Sequence, residues 1–390
     1  MILFFFAAIT FIPYKSDGQS QHPLIEYTTE NGLSLNSVND LVFDKQGFLW
    51  VTTADGLQRF DGYRFQTFKH DAADKKSIPE NSVSVIYEDQ NSNLWITHRT
   101  GICFKPKGKN EFIDLTSAIT PPSFSYPLTC VNETDSSVWV LNYPSGVYAI
   151  NKISLHVKKV YDLPGYTDQI LIYPVSRMYT KGEKVWFKKR LDKGSDLFQF
   201  SDSGLKQFRN NGKIKVFFLI PAQKDSLVII SDKGMYKASA NDPFTPVRIL
   251  NARIDSIGFD NDLNFLPRKI KNDQWLLIGA KKVLLYDASK EDAIVFPYEE
   301  YLSGDLIRYL HTATTDKHQN SWLGFNGIGG IKVITLQKFN LFSRPVKDAL
   351  TYTMTADEKG NIYAGIYLGD IEVYNKEGRF IKTIKLPAQD

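Results

Sequence analysis

Apolar and polar residues alternate along this chain in short bursts, and turn residues separate the bursts. In the first clear unit the bursts are VNDLVFD, FLWVTT, LQRF and RFQTF. In the second unit they are VSVIYED, NLWITH, GICFK and EFIDL. Strict alternation over a few residues is typical of half-buried β-strands. The pattern therefore predicts an all-β chain built from repeated groups of four short strands, with very little helix.

Tryptophans mark the same position in successive units. Trp95 follows Trp50 by 45 residues, and Trp139 follows Trp95 by 44 residues. The series continues at similar spacing with aromatic residues and one leucine: Trp186, Leu227, Trp275, Trp322 and Tyr363. Four strands in roughly 45 residues is the period of a β-propeller blade. Since a single four-stranded sheet cannot bury both of its faces, we expect these side chains to fill the space between adjacent blades.

Turn residues recur in register with this series. Asp44 opens the turn DKQG, and Gly47 in the same turn is free to adopt a positive φ. The same slot, six residues before the aromatic residue, contains aspartate in three further units: Asp89, Asp316 and Asp357. An aspartate in this position caps its own turn, which explains these residues without catalysis.

Two different blade counts are compatible with the sequence. The segments LIEYTTENG and FNLFSRPVK both precede an inner strand, so the start of a propeller occurs twice. We expect a seven-bladed propeller of four-stranded blades over residues 24–338, with the strand near Leu24 completing the last blade. Residues 339–390 would form the first blade of a second, truncated propeller. The alternative is a single eight-bladed propeller.

The N-terminus resembles an export signal. An apolar run extends from Ile2 to Ile12, and Ser16 and Gly18 are small residues placed for cleavage before Gln19. The run is too short to span a bilayer. No Lys or Arg precedes it. We expect a signal peptide over residues 1–18 and an exported protein.

Composition excludes several classes of function. The net charge is +4, with 47 basic and 43 acidic residues, which is too balanced to argue for nucleic-acid binding. The six histidines lack metal-ligand spacing, so we expect no metal site and no cofactor. His311 and His318 flank a predicted turn. The glycine-rich segment FNGIGGIK lies between strands and is expected to form a tight crossing. Cys103 and Cys130 are expected to be buried free thiols, although a bridge between them stays open.

The repeat resembles the two-component regulator propeller family. The residues that carry the resemblance in the first unit are Asn36, Val38, Asp44, Gly47, Leu49, Trp50, Gly56, Leu57 and Phe60. Those in the second unit are Asn81, Val83, Asp89, Leu94, Trp95, Gly101 and Phe104. Later units keep the aromatic residue and the second turn but often lose the aspartate.

The resemblance implies a periplasmic sensor. In that family the propellers form the exported sensor region of hybrid histidine kinases, many of which detect oligosaccharides and control genes for glycan utilisation. It implies a fragment that has no enzymatic activity of its own, because the kinase and DNA-binding parts reside in other domains. The implied partners are a small oligosaccharide, the rest of the sensor chain and a second protomer. No nucleic-acid contact and no membrane span are expected in this chain. The alternative is a secreted propeller that acts on glycans as an enzyme or lectin.

A ligand site is expected on one face of the propeller. In propellers, the turns between second and third strands and the loops that enter the inner strands gather on the same face. Polar and aromatic residues there suit sugar hydroxyls and ring faces. The candidate residues are Asp55, Arg99, Asn142, Tyr143, Asp232 and Asn326.

Overall fold

Antiparallel sheets of four strands make up the described part of the chain, which confirms the all-β prediction. The computed structural model describes residues 24–119, 130–142, 146–162, 178–190, 195–201, 204–210, 214, 216–222, 225–232, 234–251, 268–271, 274–278, 283–290, 292–296, 302, 306, 309–318, 320–334, 351–357, 359–366, 370–375 and 379–386. The predicted signal peptide over residues 1–18 lies outside these ranges.

The strands follow the predicted bursts. The first nine are β1 (Leu24–Tyr27), β2 (Val38–Phe43), β3 (Leu49–Thr53), β4 (Gly56–Phe60), β5 (Phe65–Phe68), β6 (Val83–Glu88), β7 (Leu94–His98), β8 (Gly101–Lys105) and β9 (Ile113–Asp114). A helix of four residues, α1 (Thr116–Ile119), and a 3-10 turn at Thr29–Asn31 occur in the same part of the chain.

The remaining strands continue the pattern. The next twelve are β10 (Cys130–Glu133), β11 (Ser137–Asn142), β12 (Gly146–Asn151), β13 (Val157–Asp162), β14 (Met178–Lys181), β15 (Lys184–Arg190), β16 (Ser195–Ser201), β17 (Gly204–Phe208), β18 (Val216–Ala222), β19 (Ser226–Ser231), β20 (Gly234–Ser239) and β21 (Asp242–Asn251). The last eleven are β22 (Arg268–Lys271), β23 (Gln274–Ile278), β24 (Val283–Asp287), β25 (Asp292–Phe296), β26 (Leu310–Thr315), β27 (Ser321–Phe325), β28 (Ile331–Ile334), β29 (Thr351–Ala356), β30 (Ile362–Ile366), β31 (Ile371–Tyr374) and β32 (Phe380–Ile384).

Most sheets consist of four consecutive strands. Sheets 1 to 6 are β2–β5, β6–β9, β10–β13, β14–β17, β18–β21 and β22–β25. Sheet 7 has the order β1-β28-β27-β26, and sheet 8 contains β29–β32. The chain divides into two units. One is Leu24–Thr335, which holds sheets 1 to 7, and the other combines residues 1–23 with 336–390 and holds sheet 8.

Sheet 7 joins the two ends of the larger unit. β1 pairs antiparallel with β28, with Leu24 opposite Ile334. Gly330, directly before β28, has φ 62°, and a Cβ there would lie 2.2 Å from the carbonyl oxygen of Tyr27. This close approach needs glycine, because a side chain would collide with the backbone of the paired segment. Tyr27 in turn stacks on Trp322, with ring centroids 5.6 Å apart.

The repeated tryptophans lie between adjacent sheets. Trp50 packs among apolar residues of sheets 1 and 2, and Trp95 packs among those of sheets 2 and 3. Trp139 joins sheets 3 and 4, Trp186 joins sheets 4 and 5, and Trp322 joins sheets 7 and 1. Each indole therefore covers apolar area on two sheets at once, which removes the exposed face that an isolated sheet would have.

The innermost strands also make polar contacts across sheets. Asp40 on β2 is 1% exposed, and its carboxylate accepts from the Thr312 hydroxyl on β26 at 2.9 Å. The other oxygen accepts from the backbone N–H of Ile86 on β6 at 3.2 Å. Asn39 donates to the carbonyl oxygen of Val83 at 2.7 Å. These side chains satisfy backbone and hydroxyl groups on strands that have no further strand beside them.

Candidate functional site

The recurring turn aspartate has two roles in the first unit. One oxygen of Asp44 accepts from the backbone N–H groups of Gln46 at 3.0 Å and Phe48 at 2.9 Å. The other oxygen accepts from the indole N–H of Trp50 at 2.8 Å. The carboxylate thus caps the turn and also fixes the indole that packs between the sheets. Gly47 has φ 92°, which the turn requires.

The same geometry recurs where the sequence repeats. Asp89 accepts from Trp95 at 2.9 Å, and Asp316 accepts from Trp322 at 3.1 Å. Asp357 accepts from the phenol of Tyr363 at 3.2 Å, so the phenol O–H replaces the indole N–H. In sheet 3 a threonine hydroxyl takes the place of the carboxylate, and Trp139 donates to Thr134 at 3.4 Å. Ser92, in the glycine slot of the second unit, has φ 63°.

Backbone hydrogen bonds show which turns share a face. The turn between β3 and β4 meets the loop that enters β6, because the N–H of Gly56 donates to the carbonyl oxygen of Asn81 at 2.7 Å. The turn between β7 and β8 meets the same loop, where the N–H of Arg99 donates to the carbonyl oxygen of Ser82 at 3.0 Å. These contacts place the second turns and the entering loops together, on the face where the ligand site is predicted.

Asp55 and Arg99 lie close to one loop on this face. Asp55 pairs with Lys69, whose Nζ lies 2.8 Å from each carboxylate oxygen. Arg99 pairs with Glu80 at 3.5 Å. Lys69 and Arg99 are half or more exposed. Since exposed ion pairs contribute little to stability, these charged groups can exchange their partners for a ligand at small cost.

The other candidates lie on different parts of the same set of turns. Asn326, after β27, accepts from the Ser37 hydroxyl at 2.9 Å and donates its N–H to the Tyr309 carbonyl oxygen at 2.7 Å. Asp232 lies in the exposed turn after β19, and Asn142 is the last residue of β11. Tyr143 lies outside the described residues. The structure thus groups Asp55 with Arg99 through one loop.

A buried histidine lies directly behind Arg99, and the sequence pattern did not single it out. The side chain of His98 is fully buried, and its Nδ1 lies 3.1 Å from the Thr100 hydroxyl. Its Nε2 has no hydrogen-bond partner. Burial lowers the pKa of His98 to about 4, against the opposing influence of Asp114 and Glu80. The imidazole is therefore neutral near pH 7. The sequence signal that could have identified His98 is its position at the end of a second strand, before a Thr-Gly turn.

The described residues supply no metal centre. They contain no group of three His, Cys, Asp or Glu side chains placed to hold a metal ion. His311 lies within β26, whereas His318 lies in the turn that follows it. Cys103 is a buried free thiol whose pKa is raised by burial. The side chain of Cys130 lies outside the described part. Among these residues no helix is long and apolar enough to cross a membrane.

A profile of the family described as two component regulator propeller matches residues 32–55 and 77–100. These two segments carry the sequence pattern of two-component regulator propeller repeats. The first of these two repeats contains β2, β3 and the turn at Asp55, and the second contains β6, β7, His98 and Arg99. Both turn aspartates that bind an indole in sheets 1 and 2 lie within the repeats.

A curated relative supports the same interpretation of this part of the chain. It is "Histidine kinase P4" of Formosa agariphila, which is 40% identical over 78 residues. The match covers 20% of this chain and 5% of the kinase, so the chain spans a small part of that relative.

Solved structures of similar fold match most of the chain. The extracellular domain of a hybrid two-component system from B. thetaiotaomicron has a TM-score of 0.56 at 20% identity. That match covers 93% of this chain and 49% of the other, so the present chain spans about half of its length. Streptogramin B lyase has a TM-score of 0.57 at 13% identity, covering 81% of this chain and 98% of the enzyme. At these identities the likeness shows the propeller fold alone.

Proposed function

We propose that this chain is the exported ligand-sensing region of a hybrid two-component sensor. The observation that carries the proposal is the pair of regulator propeller repeats at residues 32–55 and 77–100. The histidine kinase relative and the extracellular domain of similar fold support the same assignment. In this proposal the propeller binds and reports a ligand, whereas kinase activity belongs to other domains of the sensor.

We infer that residues 24–338 close into a seven-bladed ring. Two contacts support this closure. β1 supplies the outer strand of sheet 7, and β2 of sheet 1 contacts β26 of sheet 7. Sheet 8, over residues 351–386, would begin a second propeller. The alternative is a single eight-bladed ring that includes sheet 8.

The ligand in this proposal is a small oligosaccharide whose binding controls glycan-utilisation genes through a homodimeric full-length sensor. Its site is the face that carries Asp55 and Arg99. Carboxylate and guanidinium groups can each form two hydrogen bonds with neighbouring sugar hydroxyls. The loop over residues 69–81 holds both groups, and Asn326, Asn142 and Asp232 extend the same set of turns.

Calorimetric titration of the purified chain with a panel of oligosaccharides tests the proposal. We expect heat from one member of the panel, and a loss of affinity of at least tenfold in a variant with Asp55→Ala and Arg99→Ala. Asp61→Ala is the matched control, because the Asp61 carboxylate accepts from the N–H groups and the guanidinium of its own turn. The control variant should bind like the unmodified chain.

The outcomes separate function from site. If no oligosaccharide of the panel gives measurable heat, the assignment of an oligosaccharide ligand is wrong. If the double variant binds as tightly as the unmodified chain, the ligand site does not lie on the face that carries Asp55 and Arg99. Chromatography of the same mixtures tests the alternative, a secreted glycan-active enzyme or lectin. Released shorter sugars would identify an enzyme, a class in which propellers of similar fold occur.

A further inference from the structure

Positive charge is concentrated in one stretch of this nearly neutral chain. Residues 152–215 contain 14 of the 47 basic residues but only 6 of the 43 acidic residues. The remainder of the sequence is therefore slightly acidic. The stretch covers the fourth strand of the third sheet and all of the fourth sheet, so the imbalance belongs to two neighbouring sheets.

Internal hydrogen bonds occupy the described acidic side chains of this stretch. Asp196 is 7% exposed, and it accepts from the side chain of Gln207 and the backbone N–H of Asn210, both at 3.0 Å. Glu183 accepts from the backbone N–H of Asp135 at 3.0 Å and from the Ser136 hydroxyl at 3.3 Å. These carboxylates hold the fold together and do not neutralise the cations on the surface.

Exposed cations lie on the outer strands or directly after them. Lys158 lies on β13, Lys206 lies on β17, and Arg209 follows β17. None of the three has a carboxylate partner among the described side chains. Lys206 instead lies over the ring of Phe208, with its Nζ 4.6 Å from the ring centroid. β13 and β17 are the outermost strands of sheets 3 and 4, and Trp139 packs between these two sheets.

We propose that the outer strands of sheets 3 and 4 bind a linear acidic polysaccharide that bears carboxylate or sulfate groups. The cations lie on or directly after the outermost strands of two neighbouring sheets, and such a spread of positive charge suits an extended polymer with repeated negative charges. Unpaired exposed cations bind such a polymer by charge complementarity, and added salt weakens the interaction. This surface lies on different strands from the face with Asp55 and Arg99, so the proposal does not rest on the sensor assignment.

The test uses the full chain and two polyanions, polygalacturonate and dextran sulfate, with neutral dextran as the uncharged comparison. Retardation in affinity electrophoresis measures binding at 50 and 300 mM NaCl. We expect binding to at least one polyanion at low salt, at least tenfold weaker binding at high salt, and no binding to dextran. A variant with Lys158→Glu, Lys206→Glu and Arg209→Glu should lose at least tenfold in affinity.

A control variant with the same change in net charge distinguishes binding at this surface from nonspecific electrostatic attraction to the whole protein. It carries Lys75→Glu, Lys107→Glu and Lys382→Glu, which are exposed lysines outside residues 152–215. This control should keep most of the affinity, and equal losses in the two variants would overturn the site. Binding to vesicles that contain phosphatidylglycerol is measured as a further comparison. If the vesicles bind the chain and neither polyanion does, the surface is a lipid-headgroup site and the proposal is wrong. Circular dichroism spectra should be the same for all three proteins.

Discussion

Asp89→Ala removes the acceptor of four hydrogen bonds in the turn of sheet 2. The carboxylate accepts from the backbone N–H groups of Asn91 at 2.9 Å and Asn93 at 2.8 Å. It also accepts from the Asn93 amide at 3.0 Å and from the Trp95 indole at 2.9 Å. Trp95 has no exposed surface, so water cannot replace the acceptor of its N–H.

The size of the effect follows from these contacts. The turn N–H groups lie nearer the surface, and the loss of their charged acceptor costs about 1.5–3 kcal/mol. An unpaired indole N–H in the interior costs a further 1–3 kcal/mol or so. We expect Asp89→Ala to lower the free energy of unfolding by about 2.5–6 kcal/mol. Asp71→Ala is the matched control, because the Asp71 carboxylate caps the N–H of Ala73 at 2.9 Å in an exposed turn.

Urea unfolding of the full chain, followed by tryptophan fluorescence, measures the effect. Asp71→Ala should cost less than about 1 kcal/mol, as a surface cap does. If Asp89→Ala does not fold, Asp89→Asn with Trp95→Phe gives a double-mutant cycle. We expect a coupling energy of about 1–2 kcal/mol between the two residues, since removal of the indole N–H relieves the unpaired donor. Equal midpoints for Asp89→Ala and Asp71→Ala, or additive effects in the cycle, would refute the double role of the carboxylate.

Two further predictions concern the histidine and the glycine described above. Because the pKa of His98 is lowered to about 4 in the folded chain from an ordinary 6.5, the unfolded chain binds the proton more readily. The stability that neutral His98 contributes is complete above pH 6.5 and declines as the pH falls towards 4. His98→Gln should flatten this decline in urea midpoints measured from pH 7 to pH 4.5, and an unchanged slope would contradict the prediction. Gly330→Ala should expose β1 to rapid amide hydrogen exchange, because its Cβ would lie 2.2 Å from the Tyr27 carbonyl oxygen. Gly47→Ala, also at positive φ but with open space at the Cβ, should leave exchange in β1 unchanged.

Periodicity predicts the positions of the strands well because successive side chains alternate between the two faces of a pleated strand. β3 and β8 occupy the segments FLWVTT and GICFK, although every residue of both strands is buried. The turn aspartates were predictable as turn caps from their local spacing. Their second bond, to an aromatic side chain six residues later, could not be predicted from that spacing, because the distance between those groups depends on the rotamer of the indole.

The ligand face could be predicted only as a set of turns. Strand order assigns second turns and entering loops to one side, so Asp55 and Arg99 follow from topology. Their ion-pair partners, Lys69 and Glu80, lie in a long loop whose path has no periodic signal. His98 was missed for a similar reason. Its neighbours Asp114 and Glu80 come from other elements, so its environment exists only in the folded chain.

The innermost strands show where the binary pattern misleads. Asp40 occupies a polar slot in VNDLVF, and alternation alone would expose it to solvent. In the fold it contacts Thr312, which is 272 residues away in sequence. Sheets 3 and 4 repeat the arrangement, where the Thr180 hydroxyl donates to Asn132 at 2.9 Å. The inner strand of a blade has no further strand beside it, and short polar side chains of the neighbouring blade supply the missing hydrogen bonds. Polar alternation on these strands therefore encodes contact between blades, and the pairing becomes visible only once the order of blades is known.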